Sequence, residues 1–155
     1  MKIKWRGGLH MCNNNRDESC IAEILTVISV LQQNASCSDS CLDTCDRGFL
    51  GCSTTSLNCN TRPVVLYTCS GNGVPFSMPT SKEDIICSDL GATCSNVFRV
   101  EKIDGNCATF RVLQPNPDTT EATSFPYAAT NSFFTMNLNC VCAIRCLQDT
   151  YIECI

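Results

Sequence analysis

With 155 residues, 44% of them apolar, the chain is long enough for one domain with its own core and too hydrophobic to be disordered throughout. Its net charge of -4, with no block of like charges, excludes a phosphate-backbone binder, which needs a basic footprint. Charged residues make up only 17%, below the roughly one-quarter of ordinary soluble domains, so much of the surface is poorly solvated and suited to burial against neighbours.

Residues 1–16 are polar and read as a flexible N-terminal segment; residues 17–155 read as a single cysteine-rich domain. Residues 1–8 are basic, but the apolar stretch of a signal peptide does not follow, and no run is long enough to span a membrane. The expectation is therefore synthesis in the cytoplasm without a signal peptide, with no membrane and no nucleic acid among the partners. Ser19 is placed to cap a helix, and Ile21, Ile24, Leu25, Ile28 and Leu31 follow one helical face, which predicts a core-packing helix over about 19–33. Residues 34–62 are rich in Ser, Asn, Asp and Thr and read as loop; they hold Cys37, Cys41, Cys45, Cys52 and Cys59.

Strand signals begin at residue 63. Residues 63–68 are apolar and β-branched and stop before Gly71-Asn72-Gly73, and a short strand is expected at 74–77. The runs 97–103 and 106–113 flank Asp104-Gly105, which predicts a hairpin with a type I′ turn. Arg99 and Glu101 then share one face and read as a solvated or interface pair rather than a catalytic one. Residues 114–131 hold three prolines and read as a long loop; residues 133–147 read as one or two further strands, and 151–155 as an apolar tail. The sum is a mainly β fold, a single antiparallel β-sandwich or barrel-like domain with an N-terminal helix.

The 15 cysteines are the composition of a disulfide scaffold, yet a chain of this length does not need staples to fold. An odd number leaves at least one thiol free, metal-bound or paired with another chain. Enzymatic readings have little to stand on. The single histidine, His10, lies in the polar N-terminal segment, so a thiol or serine nucleophile lacks a base. No Cys-x-x-Cys occurs, and no phosphate loop. Zinc wants two close pairs of thiolates, and neither Cys37, Cys41 and Cys45 nor Cys140, Cys142 and Cys146 supplies them; no metal and no cofactor is expected. Strand alternation would put Cys140, Cys142 and Cys146 on one face with Ile144. Neighbours two apart on a strand are badly placed to bridge each other, so each needs a partner on a facing strand, a loop or another subunit.

Residues 95–101 (SNVFRVE), 107–113 (CATFRVL) and 138–147 (LNCVCAIRCL), with 60–68 (NTRPVVLYT), resemble the CotY/CotZ/ExsY family of cysteine-rich coat and exosporium proteins of Bacillus-type endospores. The similarity runs from about residue 60 to 148 and, more weakly, over 20–33. It implies a structural, non-enzymatic protein of the spore surface. Such a protein self-assembles through hexamers into a two-dimensional lattice crosslinked by disulfides, with itself and other coat or exosporium proteins as partners. It also implies synthesis in the mother-cell cytoplasm and oxidation after that cell lyses. On this reading Cys12, Cys41, Cys45 and Cys154, in termini or loops, are the candidates for bonds between subunits. Cys94, Cys107, Cys140, Cys142 and Cys146 are the candidates for bonds within the domain. A disulfide-locked appendage or fibre, and a zinc-stabilised cysteine-rich binding module, are the alternatives.

Overall fold

The β-branched and aromatic runs of the second half build one five-stranded antiparallel sheet, and the apolar stripe of the helix closes over one of its faces. The computed structural model describes residues 19–33, 35, 59–88, 91–117, 125–153 and 155. The segment 1–16 and nearly all of the loop 34–62 lie outside them. The elements are helix α1 (Cys20–Gln33), then β1 (Val64–Thr68), β2 (Met78–Pro79), β3 (Cys94–Ser95), β4 (Val97–Asp104), β5 (Cys107–Pro115), β6 (Tyr127–Asn137), a 3-10 turn (Leu138–Cys140) and β7 (Val141–Cys146). The sheet order is β6-β5-β4-β1-β7, and β2 and β3 form a separate two-stranded sheet. The large sheet stays open: the mainly β architecture with one N-terminal helix is as expected, without closure into a barrel.

The helix buries Ile21, Leu25 and Ile28, the positions its periodicity marks, against Val64, Leu66, Phe98, Val100 and Phe110 of the sheet. Ile24 packs at the margin of this cluster, and Leu31 turns instead towards Cys59 and Ala35. Alternation along β4, β5 and β6 sends Phe98, Phe110 and Phe134 to the helix side, where Phe76 joins them. The rings of Phe98 and Phe134 meet edge-on at 4.9 Å, and those of Phe110 and Phe134 stack at 5.3 Å, the offset geometries that aromatic quadrupoles favour.

Gln32, one turn beyond Ile28, is buried although its polarity removes it from any apolar pattern. Its Nε2 donates to the Val100 carbonyl at 2.8 Å, and its Oε1 accepts the Arg62 amide at 3.1 Å. One carboxamide thus ties the last helical turn to β4 and to the chain entering β1. Gln32→Leu keeps the volume but leaves a buried donor and a buried acceptor unpaired. It is expected to cost about 2 kcal/mol, read in urea as a lower midpoint at an unchanged slope.

The hairpin forms one residue later than its sequence suggests. Asp104 pairs with Cys107, so the two-residue link is Gly105-Asn106 and not Asp104-Gly105. Gly105 has φ 56°, while Asn106 is not in the left-handed region. That is the type II′ pattern, which needs a positive φ only at its first central residue, where glycine adopts it freely; type I′ would need it at both. Two other expectations change. Residues 74–77 form no strand; Phe76 instead donates its amide to the Leu66 carbonyl at 2.8 Å. The stretch 114–131 is not wholly loop, because β5 continues to Pro115 and β6 starts at Tyr127 opposite it. The β5–β6 register shifts between Arg111 and Leu113, opposite Thr130–Ser132, where the Thr130 hydroxyl donates to the Val112 carbonyl at 2.6 Å and replaces lost ladder bonds.

Candidate functional site

The cysteines are the chemistry-bearing residues of this chain, and the sheet decides where they meet. In β1, Val64 to Tyr67 pair residue by residue with Cys146 to Ala143 of β7, and the register then shifts between Tyr67 and Thr68. The shift carries Cys69 to the start of β7, where its amide donates to the Cys140 carbonyl at 3.0 Å. Its side chain bridges to Cys142, with the two Cα atoms 5.0 Å apart, inside the normal disulfide range. Cys140 and Cys146 are disulfide-bonded as well. β7 is an edge strand of the large sheet, so these bonds gather along one rim of the domain. A second bridge, Cys87–Cys94, with Cα atoms 5.8 Å apart, closes the loop leading into β3.

Two sequence expectations need correction here. Cys140 does not alternate on a strand with Cys142 and Cys146; it ends the 3-10 turn, held by the Asn137 side chain accepting the Asn139 amide. Cys107, a candidate for a domain-internal bond, is an exposed free thiol. Its cross-strand neighbours are Asp104 and Asn137, neither of which can bridge it. Cys20, at the start of α1, is likewise an exposed free thiol. Cys12, Cys41, Cys45 and Cys154 all lie outside the described residues, as does His10. Sequence reasoning overlooked Cys69 and Cys87. Nothing local marks either one; the signal for Cys69 is its place one residue past a strand whose partner is only known once β7 is in register.

Charged side chains on the face away from the helix form a second constellation. Arg99 and Arg111 stand directly opposite each other on β4 and β5. Glu101 lies between them and takes Arg99 Nη1 at 2.7 Å and Arg111 Nε at 2.8 Å. One carboxylate therefore compensates two facing cations. Arg99 is buried, not solvated as its sequence position suggests, and also donates to the Thr61 hydroxyl at 3.0 Å. Burial pushes its pKa down, and the charge of Glu101 opposes that shift. Arg111 lies over the ring of Phe133, 4.5 Å from its centroid. Deeper still, Arg62 and Asp149 form a two-point ion pair with both side chains 1% exposed.

These groups are paired with each other, so the constellation reads as architecture. Among the described residues no three His, Cys, Asp or Glu side chains are grouped to hold a metal ion, and no described helix is long and apolar enough to cross a membrane.

The sequence profile of the family described as Spore coat protein Z matches residues 10–149. The chain is 28% identical to Spore coat protein Z of Bacillus subtilis (strain 168) over 113 residues, which cover 61% of this chain and 76% of that protein. No solved structure matches.

Proposed function

The chain belongs to the Spore coat protein Z family, and we propose that it is a structural subunit of the endospore surface, in coat or exosporium, that assembles with copies of itself through hexamers into a two-dimensional lattice locked by disulfides. Family membership supports the structural role in the coat. The observation that carries the rest is the division of labour between core and cysteines. The buried cluster joins α1 to four strands through apolar side chains, helped by the Gln32 carboxamide, while the bridges whose two ends are described sit at a rim and in a loop. A domain that packs in this way can assign cysteines to something other than its own folding.

On this reading non-covalent contacts assemble the lattice, whose heterologous interfaces close into rings and extend sideways. Many weak contacts make it collectively strong. Disulfides formed after the mother cell lyses then turn reversible contacts into kinetic resistance. Cys12, Cys41, Cys45 and Cys154 carry the bonds between subunits, and Cys94, Cys140, Cys142 and Cys146 those within the domain. Partners are further copies and other coat or exosporium proteins, and the subunit catalyses nothing.

Electron microscopy of the untagged protein, before and after boiling with and without reductant, tests this. Ordered rings or sheets that survive boiling and dissolve only when reductant is added are the expected result. Filaments instead of sheets would favour the appendage alternative. A monodisperse monomer indifferent to reductant would sink the proposal. Serine at all four inter-subunit positions should abolish the resistance to boiling while leaving the assembly visible before heating.

A further inference from the structure

The sheet face away from the helix is covered unevenly. One half carries Val65, Val97 and Leu113, over which Ile152 of the C-terminal segment packs. On the other half, at the hairpin end of β4, β5 and β6, no buried cluster forms among the described residues. Alternation there sends Ile103, Ala108, Phe110, Phe134 and Met136 into the helix-side core. The residues between them face outward in two rows across the strands. One row is Lys102, Thr109 and Thr135; the other is Asp104, Cys107 and Asn137. All but the half-buried Thr109 are exposed. The Thr109 and Thr135 hydroxyls are 3.0 Å apart and hydrogen-bond each other across β5 and β6.

The charge on this plate is one cation and one anion, two residues apart on the same strand. An acidic polymer or a strongly charged partner would find no net charge to hold. A second copy would. Rotating the plate about a twofold axis that lies across the strands at the level of Ile103 exchanges the two rows. Lys102 of each copy then lies over Asp104 of the other, and the uncharged Thr and Asn side chains face one another. The contact is isologous and self-complementary.

We propose that this plate is a contact surface for a second copy of the chain, paired face to face about that axis. The proposal deepens the self-assembly reading and rests on it. Three strands and two rows are far less than the roughly 800 Å² per partner of a stable pair, so the contact is weak alone and effective only when repeated.

Cys107 sits inside the plate and reports on it. The full-length protein is brought to increasing concentration and pulsed with a maleimide, and alkylation is located by peptide mass spectrometry, while sedimentation velocity reads association. Cys107 should become protected as association rises while Cys20, outside the plate, stays reactive. Lys102→Glu, a change at an exposed side chain, should weaken association roughly tenfold, because each pair carries the contact twice. The exchange Lys102→Asp with Asp104→Lys should restore it, since it keeps the complementarity. Association and protection unchanged by Lys102→Glu, or no recovery in the exchanged variant, would overturn the proposal. Lattices that form with Cys107 still reactive would overturn it too, while leaving the lattice reading intact. Paired copies with Cys107 protected that never extend into rings or sheets would uphold the plate and sink the lattice.

Discussion

Asp149→Ala is expected to destabilise the domain by about 3–5 kcal/mol, a large share of a small domain's stability. The carboxylate accepts Arg62 Nε at 2.8 Å and Arg62 Nη2 at 2.9 Å, with both side chains 1% exposed. Removing it takes the carboxylate partner from a guanidinium that is only 1% exposed. The pair also fixes a local crossing of the chain, because Thr61 and Thr150 exchange backbone hydrogen bonds of 3.0 and 2.9 Å beside it. The attraction itself is a smaller quantity than the loss on truncation. Replacing both residues by leucine should therefore cost much less than either single change, since no charge is left behind. Urea unfolding of the two single variants and the double variant gives the comparison. A single variant losing less than about 1 kcal/mol would mean that the pair behaves like a surface ion pair and that this corner opens to water.

Reduction should weaken the domain and leave it folded. The Cys69–Cys142 bridge spans a separation of 73 residues, for which chain entropy sets a stabilisation of about 4 kcal/mol. The Cys87–Cys94 ring spans only 7 and adds about 2 kcal/mol by the same reasoning. The first figure is an upper bound, because Cys140 and Cys146 are bridged too and already shorten the unfolded loops. Serine at both Cys69 and Cys142 should lower the thermal midpoint sharply, yet unfolding should stay cooperative, because the aromatic and aliphatic cluster between α1 and the sheet does not depend on the bridge. Loss of cooperative unfolding in that variant would show that the sheet needs its rim staple. The cysteines would then serve folding first, and the case for a surplus devoted to assembly would weaken.

The parts of this fold that short-range physics dictates are the parts legible in the sequence. The stripe Ile21, Leu25, Ile28 has no reason to recur at helical spacing except to cover a sheet, and it does so. The β-branched runs around residues 97 and 110 are strands because such side chains pack well on a pleated surface. What escaped has its cause elsewhere in the chain. Gln32, Arg62 and Asp149 look like surface residues, and only their partners, up to 87 residues away, let them be buried. Cys140, Cys142 and Cys146 are spaced evenly enough to mimic a strand, and a 3-10 turn ending at Cys140 follows from the Asn137 cap rather than from any alternation. Cys107 carried the same label as its neighbours in composition, and only the cross-strand register shows it facing solvent opposite an aspartate and an asparagine. The site was legible as an inventory of thiols but not as a set of pairs, because pairing is a property of the sheet order.

That sheet order also has a bearing on time. Strands β4, β5 and β6 are consecutive neighbours and can zip together as soon as they exist, since each contact joins residues close in sequence. β1 is different. It reaches the interior of the sheet only when flanked by β4 on one side and β7 on the other, and the buried charge of Arg62 just before it waits for Asp149. A growing chain therefore carries a half-built sheet with an open β1 flank until residues 141–149 have left the ribosome. The last of the sheet's strands in chain order is the one that carries Cys142 and Cys146, so β7 docks on β1 after the more local contacts have been made, and the bond that pins it to the end of β1 follows only on oxidation.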